Sequence, residues 1–107
     1  MKGIRFMRIM VFFDLPTKTK KQRKAYTKFR AFLLDDGYDM LQYSVYVRVC
    51  KGADAVETHR RRIQNYLPKK GSVHFLVLTE GYYERMEILV GNLTEQEEIG
   101  NKQLLLF

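Results

Sequence analysis

Met7-Arg8-Ile9-Met10-Val11-Phe12-Phe13-Asp14-Leu15-Pro16 is apolar apart from Arg8, ends on a single acid and is halted by a proline. The β-branched and aromatic content predicts a buried strand over Met7–Phe13, with Ile9, Val11 and Phe13 on one face and Met10 and Phe12 on the other. Both faces are apolar, whereas a sheet with one wet face alternates more cleanly. Pro16 cannot continue the strand and pushes Leu15 into an extended conformation. An acid in this place has two readings. It caps the next helix through backbone N–H groups, or it belongs to a site.

Outward from that stretch, a helix is predicted over Lys18–Asp35, with Thr19 and Gln22 as a capping box or Thr17 as the cap, and Gly37 as terminator. Gln22, Ala25, Tyr26, Phe29, Phe32 and Leu33 share one side at helical spacing. Between Thr17 and Arg30 stand seven basic residues and no acid. A solvated helix ordinarily mixes Glu with Lys to gain i,i+4 pairs, so this uncompensated set points to a polyanion partner. Tyr38–Val49 reads as two strands joined near Gln42-Tyr43, with Val45, Val47 and Val49 on one face. A second helix is expected over Ala53–Leu67, stopped by Pro68, with Val56, Ile63 and Leu67 inward. Ser72–Thr79 is the next strand, apolar on nearly both faces. Residues 81–85 form a turn or one helical turn, 86–90 a short strand, 92–102 a polar acidic connection and 103–107 a last apolar run. Asp35, Asp36 and Asp39 are expected in solvent.

The order β-α-β-β-α-β is the split βαβ, or ferredoxin-like, pattern of the α+β class, here with additional C-terminal strands. The 107 residues fit one domain, 1–107, with its core at about 7–80 and an extension at 81–107 for dimer or partner contacts. Both helices cover one sheet face, leaving Met10, Phe12, Leu76 and Leu78 on the other. Burying four such side chains is worth roughly 6–12 kcal/mol gross, so a sheet-face-to-sheet-face homodimer is expected. In such a dimer Asp14 meets its own copy, and two converging carboxylates call for a cation or a shared proton. Mg²⁺ suits that arrangement, since one or two carboxylates plus water and phosphate satisfy it.

The net charge is +7 and the pI about 9.6, with residues 1–90 holding 18 Lys/Arg against 9 Asp/Glu. A basic body fits nucleic acid. The candidate contacts are Lys18, Lys20, Lys21, Arg23 and Lys24 after the Asp14 loop, and Arg60, Arg61, Arg62, Lys69 and Lys70 around the second helix. Contacts of this kind read charge and shape rather than sequence, which favours duplex. Exposed aromatics for stacking single strands are limited to Tyr82 and Tyr83. His59 packs against the sheet or meets phosphate, and His74 falls on the presumed dimer face. Cys50, the only cysteine, excludes an intrachain disulfide and fits a cytoplasmic setting; it reads as a small buried residue. No run long enough to cross a bilayer, no signal peptide, no His/Cys metal spacing and no Walker-type phosphate loop stand in the sequence. No membrane, small-molecule substrate or organic cofactor is therefore expected.

Phe12-Phe13-Asp14-Leu15-Pro16, the basic helix, Gln42-Tyr43-Ser44-Val45-Tyr46 and Gly71-Ser72-Val73-His74-Phe75-Leu76 together resemble the small CRISPR-associated adaptation protein, the non-integrase partner in spacer acquisition. The run 82–91 and the tail 102–107 are most similar to members from Cas9-containing, type II-A systems. The resemblance implies a cytoplasmic ferredoxin-like homodimer that bridges two integrase dimers and holds duplex prespacer DNA, and meets the CRISPR repeat, on a basic surface. It also implies an alternative: a Mg²⁺-dependent endonuclease on RNA or DNA, in which Asp14 from both protomers is the metal ligand and catalytic residue. A third reading, a ferredoxin-like dimer regulating RNA with no CRISPR role, is separated from both by the company the gene keeps.

Overall fold

The computed structural model describes residues 5–91. Its elements follow the expected order: β1 (Phe6–Asp14), α1 (Lys20–Asp35), β2 (Asp39–Gln42), β3 (Val45–Lys51), α2 (Ala53–Gln64), β4 (Ser72–Thr79) and a short α3 (Glu80–Glu84). The four strands form one antiparallel sheet in the order β2-β3-β1-β4. This is a ferredoxin-like α+β arrangement with β1 and β3 in the middle. Each strand lies within a residue or two of its expected position.

Ile9, Val11 and Phe13 of β1, Tyr46 of β3, Phe29 and Leu33 of α1, and Val56 and Ile63 of α2 form the core. The Phe13 ring meets Phe29 edge-on at 5.2 Å and stacks with Tyr46 at 5.6 Å. Such pairs add roughly 0.5–1.5 kcal/mol beyond area burial. Cys50 is buried, as expected.

The capping box forms as read. Thr19 Oγ1 accepts from the Gln22 N–H, and Gln22 Oε1 accepts from the Thr19 and Lys18 N–H groups. α1 therefore begins at Lys20 rather than Lys18. At its far end the Tyr38 N–H donates to Leu33 O and the Gly37 N–H to Leu34 O, with Gly37 at φ 91. That is a Schellman ending, for which glycine is the natural residue.

Four expectations are corrected. α2 stops at Gln64, and Leu67, expected to face inward, is half exposed; the residue before a proline is pushed out of the helical region, and the chain leaves the helix before reaching it. Residues 86–90 are not a strand in the single chain. Among the described residues they pair with no sheet edge, and Ile88, Leu89 and Val90 are 69%, 88% and 95% exposed; a segment without a partner strand makes no ladder hydrogen bonds. The run 103–107 lies outside the described residues. Asp36 is not in solvent. Its side chain and that of His59 are each only 7% exposed, and its two oxygens sit 2.7 Å from His59 Nδ1 and 2.7 Å from Arg62 Nη1. Finally, the exposed aromatics are not Tyr82 and Tyr83: Tyr83 is partly buried beneath Arg8, and Tyr43 and Tyr66 join Tyr82 at the surface.

The sheet face away from the helices carries Met10 between Val47 and Leu76 in register, with Phe12 between Val45 and His74. Met10 and Val47 are shielded by their neighbours, but Leu76 and Val49 are nearly half exposed. At one end of this face Arg8 binds Glu80 through two nitrogens, at 2.7–3.1 Å, and lies over the Tyr83 ring at 4.4 Å. These contacts hold α3 on the sheet. The hydrogen bonds from Arg8 keep the Glu80 carboxyl below its ordinary range.

Candidate functional site

Asp14 ends β1 at the opposite end of the sheet. Its capping reading does not hold, because α1 is capped by Thr19. Its side chain is exposed and has no hydrogen-bond partner among the described residues. Two tethers fix the backbone around it. The Phe13 N–H donates to Ser44 O at 3.0 Å, tying the β2–β3 turn to the residue before Asp14. On the other side Asp14 pairs with Ser72 in register, directly after Gly71. Gly71 has φ +101, and a Cβ there would stand 2.6 Å from Asp14 O and 2.8 Å from the Leu15 side chain. Only glycine allows β4 to enter so close to Asp14.

These tethers surround a shallow cavity of ≈ 430 Å³ lined by Asp14, Phe12, Phe13, Tyr43, Ser44, Val45, Ser72 and His74. Asp14 and His74 are diagonal neighbours across the β1–β4 ladder on one sheet face, within reach of one another's ligand rather than in a fixed mutual bond. Ser44 takes φ 63, an uncommon conformation for a residue with a side chain. The expected turn near Gln42-Tyr43 thus falls one residue later, at Tyr43-Ser44.

Next to this cavity a cleft of ≈ 630 Å³ opens between the first half of α1 and the 65–70 segment. Leu15 and Pro16, which follow Asp14, lie in its wall. Lys21 and Lys28 line it from α1, and Lys69 and Lys70 from the approach to β4; among the described residues no carboxylate lines it. The structure therefore brings Lys21, Lys69 and Lys70 together with Lys28. Lys18, just before the cap of α1, and Lys20 and Lys24 on α1 are exposed nearby. Arg23 is turned back onto Thr17 O and Lys18 O. Arg60 pairs with Glu57 and covers the Phe75 ring, and Arg62 is held by Asp36, while Arg61 stays exposed. The ten basic candidates thus divide into a lysine group around one cleft and an arginine group partly engaged within the fold.

The model of the family described as CRISPR associated protein Cas2 matches residues 7–86. This chain belongs to the Cas2 family. A relative from Acidovorax ebreus is 48% identical over 102 residues, covering 94% of this chain and 100% of the relative. One from Ligilactobacillus salivarius is 49% identical over 85 residues, covering 79% and 84%. One from Campylobacter jejuni is 41% identical over 104 residues, covering 96% and 73%. All three carry the name CRISPR-associated endoribonuclease Cas2. Membership of Cas2 replaces the reading with no CRISPR role. The matched range starts with the strand that leads to Asp14 and takes in both walls of the lysine cleft.

Among the described residues no cluster of three or more His, Cys, Asp or Glu could hold a metal ion. In one chain the Asp14 cavity has a single carboxylate among the described residues. That donor set is too thin for zinc and compatible with Mg²⁺, which completes its shell with water and phosphate. No described helix is long and apolar enough to cross a membrane.

Two residues at the site escaped the sequence reading. In the sequence Tyr43 reads as part of a turn, and its exposure beside Asp14 depends on the Ser44 backbone, for which the sequence has no marker. Gly71 reads as part of a basic turn; its one signal is its place immediately before a strand.

Proposed function

We propose that this Cas2 family member is a DNA-binding architectural subunit of the CRISPR adaptation complex. It acts as a homodimer that bridges two integrase dimers and holds duplex prespacer, with the CRISPR repeat as its other duplex partner. The observation that carries this reading is the cleft where Lys21, Lys28, Lys69 and Lys70 converge from separate segments, with no acid among its described lining residues. Like charges gathered without compensation are stabilised by phosphate. Lys18 before α1 and Lys20 and Lys24 on it extend the same charge, and Arg61 supplies it on α2.

The dimer reading is supported by the sheet face away from the helices, where Leu76 and Val49 are nearly half exposed, and by the bare apolar side chains of 86–90. The whole chain 1–107 is one domain in this reading, and 81–107 makes the dimer and integrase contacts. The test is duplex binding at two salt concentrations. Reversing Lys21 and Lys69 to Glu should weaken affinity at low salt by about tenfold or more and flatten the salt slope by about two phosphate contacts. Unchanged affinity and slope would remove the cleft from the DNA path.

A second reading has its own observation. Asp14 is exposed, free of capping and held at a cavity with His74, Ser44 and Ser72. It is a Mg²⁺-dependent endonuclease in which Asp14 of both protomers holds the ion. The ion would supply charge stabilisation at the scissile phosphate. The chain's part is to fix the Asp14 carboxylate through the Ser44 and Gly71 tethers. Asp14→Ala should abolish divalent-ion binding measured by calorimetry and any phosphodiester cleavage, with duplex affinity in chelator unchanged. If complex assembly survives in that variant but spacer acquisition is lost, the architectural reading gives way to this one.

A further inference from the structure

Tyr43 is 73% exposed, yet it is not loose. One face of its ring is stacked on Tyr26, with centroids 6.1 Å apart and planes 20° apart. Tyr26 in turn lies against Phe13, centroids 5.8 Å apart, and Phe13 is buried in the core. A chain of three rings therefore runs from the core to the surface and ends in Tyr43. The backbone is held as firmly. Ser44, which follows Tyr43, takes φ 63 and accepts the N–H of Phe13, the residue before Asp14. Tyr43 thus has a fixed position relative to the Asp14 carboxylate and shares the lining of its cavity.

A large ring held outward with one face open contributes little to folding, because most of its apolar area stays wet. It is well suited to a planar ligand, because the entropy of ordering the ring is already spent before binding. The surroundings choose the ligand. The same cavity wall offers a carboxylate, an imidazole and two hydroxyls, and the acid-free lysine cleft begins at Leu15 and Pro16. A nucleobase carries a π-face and is linked to phosphate, so it matches both neighbours at once.

We infer that the open face of Tyr43 is a stacking platform for one unpaired nucleobase, beside the Asp14 cavity and with that nucleotide's phosphate on the side of the lysine cleft. The inference rests on the reading that nucleic acid follows the lysine cleft, and it adds a requirement the cleft does not have. Paired bases inside a duplex present no free face, so Tyr43 contributes only where a strand is single, frayed or overhanging. Lysines set affinity for any backbone, and Tyr43 sets the preference for an unpaired end.

The test is binding, measured in chelator, of a blunt duplex, the same duplex with a single-stranded extension, and a single-stranded oligonucleotide with one 2-aminopurine. Tyr43→Ala should weaken binding of the two probes with unpaired bases by about five- to a hundredfold. Blunt-duplex affinity should change by less than about twofold. Tyr43→Trp should restore binding and quench 2-aminopurine, which also guards against a folding defect in the alanine variant. Unchanged affinity of Tyr43→Ala for unpaired probes overturns the platform, and so does an equal loss on all three. Altered dimer mass with unchanged binding overturns it too and assigns Tyr43 to a protein contact. If the wild type binds blunt duplex and loses it on reversal of Lys21 and Lys69, the cleft stands whatever Tyr43 does. If the wild type binds no probe, both readings fall together.

Discussion

The two ends of this small sheet use the same residue types in opposite ways. At the end of α1, Asp36 is buried against His59, and Arg62 completes the set at 2.7 Å. At the end of β1, Asp14 shares a cavity with His74 and stands beside a lysine-lined cleft, and its carboxylate is open. The first cluster satisfies itself and ties α1 to α2. Removing one member of such a set leaves a buried charge uncompensated. The second cluster satisfies nothing internally, so its stabilisation has to come from outside. Partnered charge builds the fold here, and unpartnered charge is what remains for a ligand.

Substitution can break this contrast in four places. Asp36→Ala should have the largest effect on stability, about 3–5 kcal/mol, read as a fall in urea midpoint with no change in m-value. A loss below about 1 kcal/mol would mean that the cluster is as dispensable as a surface pair. Gly71→Ala comes next, at about 1–3 kcal/mol. The added Cβ strains a positive φ and presses on Asp14 O, so the backbone NMR resonances of Asp14 and Leu15 should shift more than those of α2. Equal shifts across the molecule would deny the close approach its local role.

The Arg8–Glu80 pair gives a smaller, pH-dependent effect, below about 1 kcal/mol for a part-exposed pair. Glu80's carboxyl lies lower in the folded state than in the unfolded one. Its contribution is therefore complete above the unfolded value near 4.5 and is lost as pH falls through the lowered folded value. Melting curves between pH 6 and about pH 3 should show a smaller acid loss in Glu80→Gln than in the wild type; parallel losses would argue against the pair. Asp14→Asn should change stability least, within about 0.5 kcal/mol. A large destabilisation there would make Asp14 a structural group after all and erase the contrast between the two ends.

The sequence shows the architecture through its periodicities. The apolar β1, the Thr19-Gln22 box and Gly37 each have a local physical cause, and each stands where that cause puts it. The lysines of the cleft were equally legible as charge, although not as a cleft, since Lys21 and Lys69 meet only through packing. Asp36 was misread because nothing beside it marks burial: its partners His59 and Arg62 stand 23 and 26 residues away. Tyr43 was missed for a related reason, because exposure of an aromatic depends on a turn conformation that Ser44 does not announce. The segment 86–90 failed in the other direction. Its composition reads as a strand, but a strand is a property of a pair, and among the described residues it pairs with neither open edge of the sheet, β2 or β4.

The Asp14 cavity draws on three stretches of the chain. Its walls come from β1, the Tyr43-Ser44 turn and the entry to β4, and Asp14 itself is in register with Ser72. During synthesis the acid emerges early, but the wall opposite it is still inside the ribosome until most of the chain has been made. Contacts so distant in sequence close late in folding. A nascent chain, or one cut before Ser72, therefore displays Asp14 without the cavity that β4 closes.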